Sequence, residues 1–237
     1  MNTKTLIRRM TRHIPRLPEA AGDDSGLVPG NAPTLRIAMI GDSAAAGVGA
    51  ATHAEALAGQ LAAGLAALTG REVSWRVTAR RGATARFVRA TMLDRLTEPA
   101  TRWQPDLVLV VAGANDALRL RPPAAFRRDI TALVTSIRHR LGRGGPVPVL
   151  LVGLPPVHRF PSLPPWARLP LGGYARLLDA QLRRVARREP HVHHLPVGAL
   201  LISPETGFAA DRFHLSPAGY RAWGRALAAS VATVVDT

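Results

Sequence analysis

The chain has 237 residues, enough for one sizeable α/β domain and short for two. Hydrophobic residues make up 47% of it, which excludes a disordered chain, and the lack of cysteine excludes disulfides, thiolate zinc sites and cysteine nucleophiles. The formal net charge of +15 is almost all arginine, since Lys4 is the only lysine, and these arginines are scattered from Arg8 to Arg225 among few aromatics. That pattern reads as coding bias and solvated surface, not as dedicated nucleic-acid binding.

Residues 1–33 read as a basic, irregular N-terminal segment and residues 34–237 as the domain proper. Over residues 1–16 a short amphipathic helix can form, with Leu6, Ile7, Met10 and Ile14 on one side; it offers peripheral contact with an anionic membrane surface. A frayed terminus is the plainer expectation. No apolar core of ~7–15 residues follows, as a secretory signal needs, and no run of ~20, as a membrane span needs. This points to the cytoplasm.

From Leu35 the chain alternates short apolar runs with helical spacing. Strands are expected at Leu35–Ile40, Val73–Val77, Leu107–Val111, Val147–Val152 and Val192–Val197. Helices are expected near Thr52–Leu68, Ala83–Leu96, Pro123–Leu141, Leu171–Arg188 and Pro217–Val235, the last with Ser216 as N-cap and proline at its first position. The arginine runs at 127–128, 138, 140, 183–184 and 187–188 fall in these helices, where they form solvated faces. Residues 153–170, rich in proline, read as a long surface loop. Five strand–helix repeats predict a five-stranded parallel sheet with helices on both faces, and ligands then bind beyond the C-terminal strand ends.

The chemically equipped residues fall at those ends. Gly41-Asp42-Ser43 follows the first strand, Gly82 the second, and Gly113-Ala114-Asn115-Asp116 the third. Asp211-Arg212-Phe213-His214 precedes the last helix. A serine hydroxyl needs an adjacent base, which His214 can supply, while Asp211 can fix the imidazole tautomer. The Ser43 N–H, the Gly82 N–H and the Asn115 amide can stabilise an oxyanion. Asp42 and Asp116 read as structural groups tying loops together, and Thr84 as a support for Gly82. The histidines at 191, 193 and 194 look like a metal cluster, but strand alternation sends His193 to the face opposite His194 and no acidic partner is expected beside them, so a metal is not expected there.

In order and content these four blocks resemble the SGNH, or GDSL, hydrolase family, over about Leu35 to Ala228. One departure is the alanine of GDSAAAG, where the family name places leucine. The resemblance implies a flavodoxin-like three-layer α/β/α fold and hydrolysis of small-molecule or lipid esters through an acyl-enzyme, with no metal or cofactor. It gives Ser43 as nucleophile, His214 as base, Asp211 as its orienter, and Ser43, Gly82 and Asn115 as oxyanion donors. Apolar residues after the fourth strand, Leu154, Pro155, Val157, Phe160 and Trp166 among them, are candidates for the substrate pocket. Carboxylesters and lysophospholipid-like substrates stand first. A carbohydrate O-deacetylase and a non-catalytic flavodoxin-like binding module are the alternatives.

Overall fold

The computed structural model describes residues 5, 10–97, 102–142, 145–197, 203 and 205–235. Its strands are β1 (Ser25–Val28), β2 (Asn31–Gly41), β3 (Arg71–Ala79), β4 (Leu107–Val111), β5 (Val149–Val152) and β6 (Val192–Leu195). Its α-helices are α1 (Leu57–Thr69), α2 (Ala85–Thr91), α3 (Ala114–Leu118), α4 (Pro123–Leu141), α5 (Pro165–Arg188) and α6 (Pro217–Val235). The strands form a single sheet in the order β1-β3-β2-β4-β5-β6. All neighbours run parallel except β1, which pairs antiparallel with β3.

Among the described residues the sheet therefore has six strands, not the five expected from sequence. Ser25–Val28 lies in the segment read as irregular. It is only four residues long, it is bounded by proline and glycine, and its pairing with Val73–Arg76 is a long-range event. Gly30 then carries the chain beneath the start of β3, so close that a Cβ there would lie 2.3 Å from the Arg71 carbonyl carbon. Of the helix expected over residues 1–16, residues 1–4 and 6–9, including Leu6 and Ile7, lie outside the described residues. Met10 is buried in the core.

The apolar strands are continuous because both faces are covered. Side chains alternate across each strand. Ala38, Ile40, Val108, Val110, Val149 and Leu151 therefore meet α2, α4 and α5 on one face. Ile37, Met39, Leu107, Leu109, Leu150 and Val152 meet α1 and α6 on the other. The helices follow their local signals. Ser216 Oγ accepts the Gly219 N–H at 3.1 Å and caps α6, and α4 opens on Pro123 and stops at Gly142. Thr84 caps α2 by accepting from the Phe87 N–H at 3.3 Å, so it organises that helix start. The proline-rich loop is shorter than expected: α5 begins at Pro165, a residue suited to a first turn, and runs through Pro170. No helix among the described residues is long and apolar enough to cross a membrane.

Among the parallel strands, β2 is first in the chain and central in the sheet. The chain leaves it for β3 on one side and later returns to β4 on the other. The gap between the ends of β2 and β4 is a topological switch point, where such sheets bind ligands. The two strands close tightly there: a Cβ on Gly41 would lie 2.1 Å from the Val111 carbonyl oxygen. Gly41→Ala should force these strand ends apart at a cost of about 1–3 kcal/mol, read as a melting temperature lower by several degrees.

Candidate active site

Ser43 sits in the turn that leaves β2 at this switch point. The Asp42 N–H donates to the Val111 carbonyl at 2.9 Å, and the Asp42 and Ser43 carbonyls accept from the Ala46 and Val48 N–H groups at 2.9 and 3.0 Å. The Asp42 carboxylate turns back to accept the Ala44 N–H at 3.0 Å. Ser43 is thus fixed by backbone bonds on both sides and stays half-buried, with its hydroxyl free of hydrogen bonds among the described residues. Such contacts tighten when substrate is bound.

His214 shares a pocket with Ser43. Its Nδ1 lies 2.6 Å from Asp211 Oδ2. The other Asp211 oxygen accepts the Phe213 and His214 N–H groups at 3.0 and 2.9 Å. Burial pushes the Asp211 carboxyl up, but the His214 ring and the two N–H donors outweigh it and leave it below the usual aspartate value. A buried carboxylate with both oxygens occupied holds the imidazole in one orientation. Phe213 meets the His214 ring edge to face at 5.1 Å and the Phe160 ring at 5.2 Å.

Gly82 and Asn115 stand outside that pocket but are joined to each other's turns. Gly82 takes a φ of +77°, open to glycine without strain. Asn115 lies on α3, the short helix formed where a turn is expected, and its Nδ2 donates to the Ala83 carbonyl at 3.1 Å. The second Nδ2 hydrogen and the N–H groups of Ser43 and Gly82 make no hydrogen bond among the described residues. Asp116 accepts the Ala85 N–H at 3.0 Å and so ties α3 to the start of α2.

The pocket measures about 70 Å³. Of the candidate lining residues, Leu154, Pro155 and Phe160 reach it. Val157 is 3% exposed and packs in the core, while Trp166 is 56% exposed and points to solvent. Further walls come from Leu215, Tyr220 and Trp223, which lie outside the four sequence blocks and the loop after the fourth strand. Tyr220 and Trp223 are marked in the sequence by the apolar spacing of α6, and Leu215 by its place directly after His214.

A second acid–histidine pair lies outside the four sequence blocks, and its acid, Asp179, is too far from the histidines along the chain to be recognised as their partner. His194 Nε2 lies 2.9 Å from Asp179 Oδ1 on α5, and the same oxygen accepts the Leu154 N–H at 3.1 Å. A Cβ on Gly153 would fall 2.9 Å from that oxygen, so glycine is what lets the pair reach the backbone. Burial raises the Asp179 pKa, but His194, the Leu154 N–H and Arg183 together bring it below normal. The Asp179–His194 pair thereby anchors the pocket wall at Leu154. Among the described residues no three histidine or acidic side chains gather as metal ligands would.

Asp42 is 4% exposed, and burial pushes its pKa up to about 7; the Ala44 N–H opposes the shift and Asp116 adds to it. Burial likewise pushes Asp116 up to about 6. A carboxyl whose pKa rises on folding contributes its stability below its ordinary value and loses it as pH climbs through the raised one. Asn mimics the neutral acid and does not titrate. The melting temperature of Asp42→Asn relative to wild type should therefore rise between pH 4 and 7 and level off above. A difference that is flat with pH would show that Asp42 ionises normally.

The model of the GDSL-like Lipase/Acylhydrolase family matches residues 39–222. Among the curated proteins nothing matches the chain. Several solved structures share its fold. A family 3 carbohydrate esterase from Clostridium thermocellum is 17% identical with a TM-score of 0.65, the match covering 86% of this chain and 98% of that one. The psychrotrophic esterase EstA from Pseudoalteromonas sp. is 16% identical with a TM-score of 0.64, covering 85% and 99%. A lipase from goat rumen metagenome is 21% identical with a TM-score of 0.62, covering 83% and 97%. At such identities the likeness is one of fold, and the residue-level match over most of the chain is the family's. The chain belongs to the GDSL-like lipase/acylhydrolase family and is an ester-hydrolysing enzyme.

Proposed function

We propose that the enzyme hydrolyses short-acyl carboxylic esters through an acyl-enzyme on Ser43. The observation that carries this reading is the His214–Asp211 pair at 2.6 Å, buried and facing the same pocket as Ser43. Asp211 leaves His214 Nε2 as the ring nitrogen able to take the Ser43 proton. The alkoxide then attacks the ester carbonyl carbon. The oxyanion that forms is met by the Ser43 and Gly82 N–H groups and the uncommitted Asn115 hydrogen. His214 returns its proton to the leaving alcohol, and a water, activated by the same nitrogen, releases the acid.

A pocket of about 70 Å³ with apolar walls favours an acetyl- to butyryl-sized group over a long chain. The same size suits the acetyl group of an acetylated sugar, and structural neighbours include enzymes described as carbohydrate acetylesterases. Sugar O-deacetylation is therefore the second reading. Relative rates on p-nitrophenyl acetate and on peracetylated xylose separate the two.

With p-nitrophenyl acetate, butyrate and octanoate, activity should fall with chain length. Ser43→Ala should lose at least ~10³-fold in kcat, and Asn115→Ala ~10²–10³-fold. Unchanged turnover in Ser43→Ala would sink the assignment. Asp179→Ala frees the Leu154 wall, so its KM for butyrate should rise by more than its kcat falls. A loss confined to kcat would mean that the pair acts on the chemistry and not on the pocket.

A further inference from the structure

The outer face of α5 carries two features that neither the core nor the candidate site uses. Among the described residues six large hydrophobics are exposed, and three of them, Trp166, Leu169 and Leu177, lie on this helix at 56, 76 and 54% exposure. Farther along the helix, Arg184, Arg187 and Arg188 are exposed and join no ion pair among the described residues. At ~100° per residue, all six project within an arc of about 100°. The face is thus an apolar half followed by a cationic half along about 33 Å of helix. The only acid on α5, Asp179, points away from this face to His194.

We propose that this face of α5 docks the enzyme on an anionic lipid–water interface. A solvent-facing tryptophan and leucines in line with arginines match such a boundary, where indole and aliphatic groups enter the headgroup region and guanidinium groups meet phosphates. A second copy of the chain is a poor occupant, because each copy carries a net charge of +15 and the face is itself cationic. Nucleic acid would engage the arginines but offers nothing apolar to the leucines. Docking also has a use. The helix begins at Pro165, five residues after Phe160 in the pocket wall, so its apolar half lies at the site end of the sheet. An ester held in or leaving a membrane would meet the pocket mouth there. The proposal deepens the ester-hydrolase reading, but its test does not pass through hydrolysis.

The test is co-sedimentation with phosphatidylglycerol–phosphatidylcholine vesicles and with phosphatidylcholine vesicles. Wild type should bind the anionic vesicles, less at high salt, and bind the neutral ones weakly. The triple variants Trp166→Ser/Leu169→Ser/Leu177→Ser and Arg184→Gln/Arg187→Gln/Arg188→Gln should each weaken binding by more than ~10-fold. Both should hydrolyse soluble p-nitrophenyl acetate at the wild-type rate, which reports that they fold. No binding by wild type would overturn the proposal. So would equal binding by the triple variants, which would place contact elsewhere, as on the basic N-terminal segment. Sedimentation velocity showing a dimer that the serine variant dissolves, without vesicle binding, would give the face to a second copy. If wild type binds vesicles yet hydrolyses no ester, the docking proposal stands and the ester reading fails.

Discussion

The closeness of β2 and β4 at their C-terminal ends is the constraint on which the rest of the site depends. Gly41 leaves room for Val111, and the Asp42 N–H closes on the Val111 carbonyl, so the two strands remain in contact up to the point where they diverge. That junction fixes the Ser43 turn on one strand end and the short helix bearing Asn115 on the next. The second block joins through Asn115 and Asp116, which bond to Ala83 and Ala85. Three turns that are far apart in sequence are thereby held as one unit, and only the Asp211–His214 segment must be brought in from the far end of the chain.

Much of this was legible in the sequence because it is local. The continuous apolar run Leu107–Val111 marks a strand covered on both faces, and all five of its residues are buried. Ser216 and Pro217 announce the last helix, and the capping bond is present. Three of the four blocks reveal their proximity by falling after successive strands, and the fourth stands just ahead of the last helix. What was not legible is long-range or short-lived in the chain. The four residues of β1 have too little alternation to signal a strand, and their partner lies some fifty positions away. Asp179 and His194 are separated by a helix end and a strand start, so only the fold makes them neighbours. The walls Tyr220 and Trp223 look like any apolar face of a helix. It is the tertiary path that turns that face toward Ser43.

The pocket shows how one helix can serve several layers of the molecule. The inner side of α5 fills the core with Leu178, Leu182 and Val185. Through Asp179 it reaches across to His194 and pins the backbone at Leu154. The loop before it is tied to the His214 segment by Ser162, whose N–H and hydroxyl both donate to the Arg212 carbonyl at 3.2 and 3.0 Å. The wall at Leu154 and Phe160 is thus braced at both of its ends, and pocket size becomes a property of the packed helix more than of a loose loop.

The two edges of the sheet have a bearing on how the protein behaves when crowded. Each border strand, β1 and β6, is four residues long, and proline stands at or beside its boundary: Pro29 after β1, Pro190 and Pro196 around β6. Proline has no N–H to offer an incoming strand, and four residues give little template for one. With nearly half of its residues hydrophobic, the chain would otherwise be prone to edge-to-edge aggregation. Truncated, proline-flanked borders combined with a large surplus of like charge keep the sheet finite, so the protein should remain dispersed at concentrations where a longer, flatter border would seed fibres.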